Sequence, residues 1–71
     1  FMISAKIKVL SKSEVCFKGE TEKTTLVVVL LDLGNYSTIL NTVDKWDLEV
    51  GQQYDVTVEY SYNKFKIKEV Y

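Results

Sequence analysis

Apolar and polar residues take turns along most of this chain, and a period of two is the signature of a half-buried strand. Ile3, Ala5, Ile7 and Val9 alternate with Ser4, Lys6 and Lys8, which predicts a strand with one apolar and one lysine-bearing face. Tyr54, Val56, Val58, Tyr60 and Tyr62 alternate with Asp55, Thr57, Glu59 and Ser61 in the same way. Thr25 to Leu33 (TLVVVLLDL) is rich in β-branched residues and apolar on both faces, the pattern of a central strand covered from two sides. A third strand is expected over about Tyr36 to Asn41, after a tight Gly34-Asn35 turn. The last is expected over Phe65 to Val70, after a short Asn63-Lys64 turn. No long amphipathic helix, repeat or low-complexity segment interrupts the strands.

The links are less regular. Ser11 to Thr25 is polar apart from Val15-Cys16-Phe17 and reads as a long hairpin or extended loop bending near Gly19. Within Thr42 to Gln53, Val43, Trp46 and Leu48 suggest a short helical turn, followed by a turn at Val50-Gly51-Gln52. Five antiparallel strands in 71 residues are too few for a sandwich of useful thickness. Closure into a barrel encloses a single core and removes the edges. The expectation is therefore all-β: residues 1–71 as one small five-stranded antiparallel barrel with a short helical turn between strands 3 and 4. The strand and link order suits an oligonucleotide/oligosaccharide-binding (OB) barrel, with an SH3-like barrel as the competitor. Phe1, ahead of Met2, is expected to be an added residue.

Composition removes several function classes. The chain has no histidine and one cysteine, Cys16, which excludes zinc fingers, histidine dyads and histidine-ligated metals. Asp44, Asp47 and Glu49 are the only close acidic cluster and read as a solvated loop. Cys16, near Lys12 and Lys18, reads as a half-buried hairpin thiol rather than a nucleophile. The three glycines are scattered and make no phosphate loop. No enzyme activity, cofactor, metal or small-molecule substrate is expected. A lone cysteine fits a reducing, cytoplasmic setting. The longest apolar run, Leu26 to Leu31, is far too short to span a bilayer, and no signal peptide opens the chain.

Binding is better supported, because charge is distributed unevenly. The net charge is −1, yet residues 1–19 sum to +3 and residues 60–71 to +2, against −6 between them. In an OB barrel the first strand, the first loop and the fourth–fifth hairpin are expected to meet at one concave face. Lys6, Lys8, Lys12, Lys18, Lys64, Lys66 and Lys68 would meet phosphates there, as point charges in a chain without arginine. Phe17, Tyr36, Tyr62 and Phe65, in or beside loops and turns, are the candidates for stacking on bases. Tyr60 divides evenly between core and stacking, and Trp46 and Tyr54 belong to packing, Trp46 as a cap on the open end of the barrel.

The run Asp32-Leu33-Gly34-Asn35-Tyr36 resembles a motif of the single-stranded-DNA-binding (helix-destabilising) proteins of filamentous bacteriophages. Gly51-Gln52-Gln53-Tyr54-Asp55-Val56, the opening Met-Ile and Ile7-Lys8 extend the likeness as a looser pattern over most of the chain. The resemblance implies an OB-fold homodimer that coats single-stranded DNA without sequence preference during replication, in the cytoplasm of a bacterial host. It also implies a DNA-binding wing over Lys12 to Lys23, with Phe17 and Lys18, and a turn tyrosine at Tyr36. The chain departs from that family at Leu30, where the family carries an aromatic, and in its short fourth–fifth hairpin, through which the family dimerises. It also lacks arginine and has an acidic middle. The alternative expectation is a small β-barrel protein-interaction module, such as a phage adaptor or assembly subunit.

Overall fold

The alternation folds as its period dictates. In a computed structural model describing residues 1–71, five strands form one antiparallel sheet: β1 (Met2–Val15), β2 (Thr24–Asp32), β3 (Ser37–Val43), β4 (Gln53–Ser61) and β5 (Lys64–Val70). The sheet order is β3-β2-β1-β4-β5, so β4 returns to pair with β1 and β5 lies outside β4. The sheet curls until β5 approaches β3, but no ladder joins those two edges, and the result is a half-barrel.

Inward residues make the core. Ile7, Val9, Val27, Val29, Leu31, Val56, Val58 and Ile67 are buried from four strands, and Leu48 joins them from the link. At about 1.5–3 kcal/mol for each aliphatic side chain removed from water, this group is the main favourable term in so small a chain. The expected double cover of β2 is absent. Leu26, Val28 and Leu30 lie half-buried on the outer face of the sheet, and no element of the chain packs over them.

Three expectations change. First, β1 is longer than its apolar row: it runs past Val9 to Val15 and pairs with β2, so that of the two readings of Ser11 to Thr25 the hairpin is the one formed, with its bend at Lys18-Gly19 in the 16–23 loop. A bulge makes this possible, because Val9 pairs with Val29 and Ser11 with Val28, leaving Leu10 as the extra residue. The bulge reverses the parity of the strand, so Lys12 faces Val27 on the inner side whereas Lys6 and Lys8 face outward. Second, no helical turn separates β3 and β4. The Asp44 carboxylate accepts hydrogen bonds from the backbone N–H of Trp46 (3.1 Å) and of Leu48 (3.1 Å), and Asp47 takes φ 58°, so the link bends at Lys45-Trp46 without forming a helical turn. Third, the β4–β5 turn is Tyr62-Asn63, one residue earlier than expected. The Gly34-Asn35 turn lies where it was expected: Gly34, at φ 101°, donates its N–H to Asp32 Oδ1 at 2.8 Å. The motif that carries the family resemblance thus has a local structural purpose.

Candidate nucleic-acid interface

Aromatic side chains gather at one mouth of the half-barrel. Tyr60 and Phe65 are cross-strand partners near the end of the β4–β5 hairpin, with ring centroids 4.8 Å apart and planes tilted by 52°. Phe1 packs on Tyr60 at 5.9 Å. The turn after β2 brings Tyr36 to the same place. Phe1, Ile3, Tyr36, Tyr60 and Phe65 line an open cleft of about 340 Å³ with no polar residue in its wall. Tyr36 remains 55% exposed, while Tyr60 and Phe65 are half-buried with one side of the cluster open. Tyr60 therefore serves both as a plug of the barrel end and as part of the cleft wall.

Tyr62 lies in the turn of the same hairpin and is not part of the cleft wall. Its φ is 51° and that of Asn63 is 61°, the pair of left-handed residues that a two-residue hairpin turn requires. Glycine, asparagine and aspartate fill such positions without difficulty, but an aromatic residue there costs about 1–2 kcal/mol. Tyr62 is nevertheless 94% exposed and gains no packing in return. A strained ring presented to solvent is a feature of recognition sites rather than of cores.

The lysines fall into separate groups. Lys64 and Lys66 flank Phe65 but occupy the outer side of β5, with Lys66 opposite Glu59. Lys68 is the extra residue of a second bulge on the same edge strand. Because β5 is an edge, a chain lying along it meets rings on one side and ammonium groups on the other. Lys6 and Lys8 lie on the outer face of β1, Lys6 between Asp32 and Asp55 in register and Lys8 between Leu30 and Gln53. Lys6, Asp32 and Asp55 also line an open depression of about 610 Å³, whose charge is net negative and unsuited to a polyanion.

Phe17 and Lys18 do not join the cleft. They occupy the β1–β2 loop beyond Val15, whereas the β4–β5 hairpin lies beyond Met2 at the other end of the same strand. The molecule is 40 Å long, and the two loops mark opposite ends of β1 rather than one concave face. Phe17 is 48% exposed, and Cys16 is exposed rather than half-buried.

Lys12 is committed elsewhere. Its Nζ lies 3.1 Å from Asp44 Oδ2 and 3.2 Å from Asp47 Oδ1, and it donates to the Leu48 carbonyl at 2.8 Å. The Asp44 side chain is only 2% exposed, so this one member of the acidic cluster leaves the solvent to pair with Lys12, while Asp47 and Glu49 stay exposed as a solvated loop would have them. Burial pushes the Asp44 carboxyl up, yet the hydrogen bonds from Lys12, Trp46 and Leu48 and the Lys12 charge outweigh it and hold the carboxyl below its ordinary value. Hydrogen bonds to Asp44 and Asp47 hold the Lys12 ammonium above its ordinary value.

Ile3 and Phe1 were not among the sequence candidates for the site, and Tyr60 was divided evenly between core and stacking. The inward parity shared by Ile3 and Tyr60 is the signal that places them together. No known family model, curated protein or solved structure matches this chain.

Proposed function

We propose that this chain is an OB-like barrel that binds single-stranded DNA without sequence preference, as a replication protein of a phage or another mobile element in a bacterial cytoplasm. The observation that carries the reading is the aromatic mouth: Tyr36, Tyr60 and Phe65 around one open cleft, with Tyr62 exposed in the turn of the hairpin that supplies two of them. The sheet order supports it, because β1 pairing with both β2 and β4, with β5 turned toward β3, is the order of an OB barrel. Bases stack on Tyr36, Tyr62 and Phe65, while Lys64, Lys66 and Lys68 along β5 neutralise phosphates. Lys8, Phe17 and Lys18 extend the path for longer strands, while Lys6, set between Asp32 and Asp55, and Lys12, paired with Asp44, take no part. No bond is made or broken, so the protein acts by holding bases apart from their complement.

Labelled oligothymidine titrated at low salt tests the reading by fluorescence anisotropy. Binding that weakens about five- to a hundred-fold for each of Tyr36→Ala and Tyr62→Ala is expected from the loss of one stacked base. An unchanged anisotropy at micromolar protein, or wild-type affinity in both variants, overturns it. The second reading, a protein-interaction module, rests on the apolar outer face of β2 and β3, where Ile39 is 57% and Val43 41% exposed. On that reading oligothymidine does not bind, the tyrosine variants change nothing, and a charge placed on the outer face by Ile39→Lys changes a pull-down partner.

A further inference from the structure

The two edges of the sheet are built differently. β5 presents Lys64, Lys66 and Lys68, the charged residues with which edges are usually blunted against pairing. β3 (STILNTV) has no charge, proline, glycine or bulge, and pairs with β2 in unbroken register. An uncharged, regular, β-branched edge is a template for a further strand.

The hydrogen-bond parity fixes what that edge offers. Asp44 donates to the Thr25 carbonyl at 2.9 Å and Leu33 to the Tyr36 carbonyl at 2.9 Å, so the two ends of the β2–β3 ladder are hydrogen-bonded pairs. Pairs alternate in an antiparallel ladder, which turns Thr38, Leu40 and Thr42 toward β2. Ile39, Asn41 and Val43 therefore aim their backbone N–H and C=O groups away from the sheet. Their side chains share its outer face with Leu26, Val28 and Leu30 and are exposed.

We infer that this edge is a self-association surface, on which β3 of a second copy pairs antiparallel about a two-fold axis at Asn41. That register sets Ile39 directly opposite Val43 of the second copy, Val43 opposite its Ile39, and Asn41 opposite its Asn41. Each outward donor then meets an acceptor, giving on the order of six backbone hydrogen bonds, with two apolar pairs and one amide pair on the outer face. A second copy is the occupant because the strand complements itself in every respect: it carries no charge to repel its own image, and its apolar and amide positions match under the two-fold. Pairing of β3 with β5 of another copy would set this apolar strand against three lysines and propagate without closing. The contact is small for a stable interface, so the dimer is reversible and concentration-dependent.

Sedimentation velocity of the full chain from micromolar to millimolar concentration reads this directly. The expected result is a shift from monomer to dimer, abolished by Asn41→Pro, which removes an outward N–H and leaves the ladder to β2 intact. Ile39→Lys, which places a charge in the pair, abolishes it as well, and circular dichroism of both variants reports retained β structure. If Asn41→Pro fails to fold, Ile39→Lys alone decides. A wild type that stays monomeric at millimolar concentration overturns the inference, as does a dimer that persists in the folded variants.

Discussion

Lys12 Nζ sits 3.1 Å from Asp44 Oδ2, across 32 residues of sequence and inside the far end of the half-barrel. This pair ties the bulged half of β1 to the irregular link, and through the Leu48 carbonyl it fixes the one core residue that the link supplies.

Its pH dependence follows from the direction of both shifts. The carboxyl of Asp44 ionises below its ordinary 3.8 in the folded chain, so its contribution is complete above that value and is lost as pH falls through the lower, folded one. Lys12 is held above its ordinary 10.5, so its contribution is complete below 10.5 and is lost as pH rises through the folded value. Urea midpoints measured across pH should therefore be flat between these limits with respect to this pair and fall at both ends. Lys12→Met should move the acid limb to higher pH, because Asp44 then keeps its burial and loses its cation.

Leu48 is the hydrophobic anchor of the link, at 1% exposure. Leu48→Ala should lower stability by about 2–5 kcal/mol, comparable to a strand core position despite its lying outside regular structure. Denaturant titration of this variant beside Leu31→Ala checks the equivalence.

How much of this was readable beforehand depends on what each residue answers to. The inward rows Ile3–Val9 and Tyr54–Tyr60 announced themselves, because burial on one face of a strand imposes a period of two. The bulge at Leu10 did not, since one inserted residue changes parity without changing composition, and that single residue decides that Lys12 points inward. The helical spacing of Val43, Trp46 and Leu48 misled for a related reason: Asp44 hydrogen-bonds the backbone of Trp46 and Leu48 and supplies a local alternative to the helix. Of the site, the aromatics of the β4–β5 hairpin were legible from their place beside a turn. The separation of Phe17 from Tyr62 was not, because it depends on how far β1 runs past its bulge.

On the proposed function, Tyr62 carries opposed effects on stability and binding. Replacing it by glycine relieves the left-handed strain and should raise stability by about 1 kcal/mol, or roughly 4–8 °C in Tm for a chain this short. The same change should weaken oligonucleotide binding by one stacked base, about 1–3 kcal/mol. Thermal melts and anisotropy titrations on one preparation check both signs.

Salt should separate the lysines proposed to meet phosphates from the structural one. The affinity for oligothymidine should fall with salt at a log–log slope of about −0.7 for each phosphate contacted. Lys64→Ala and Lys66→Ala should each reduce the slope by about that amount, whereas Lys12→Met, measured where it is folded, should leave it unchanged.

The measurement that bears most directly on the aromatic mouth is an amide chemical-shift titration of the labelled protein with a short oligothymidine. The account predicts that the largest shifts map to Tyr36 and to the hairpin from Tyr60 to Lys66, with the Lys12–Asp44 end of the barrel unmoved. Shifts confined to the outer face of β2 and β3, or none at saturating oligonucleotide, would contradict it.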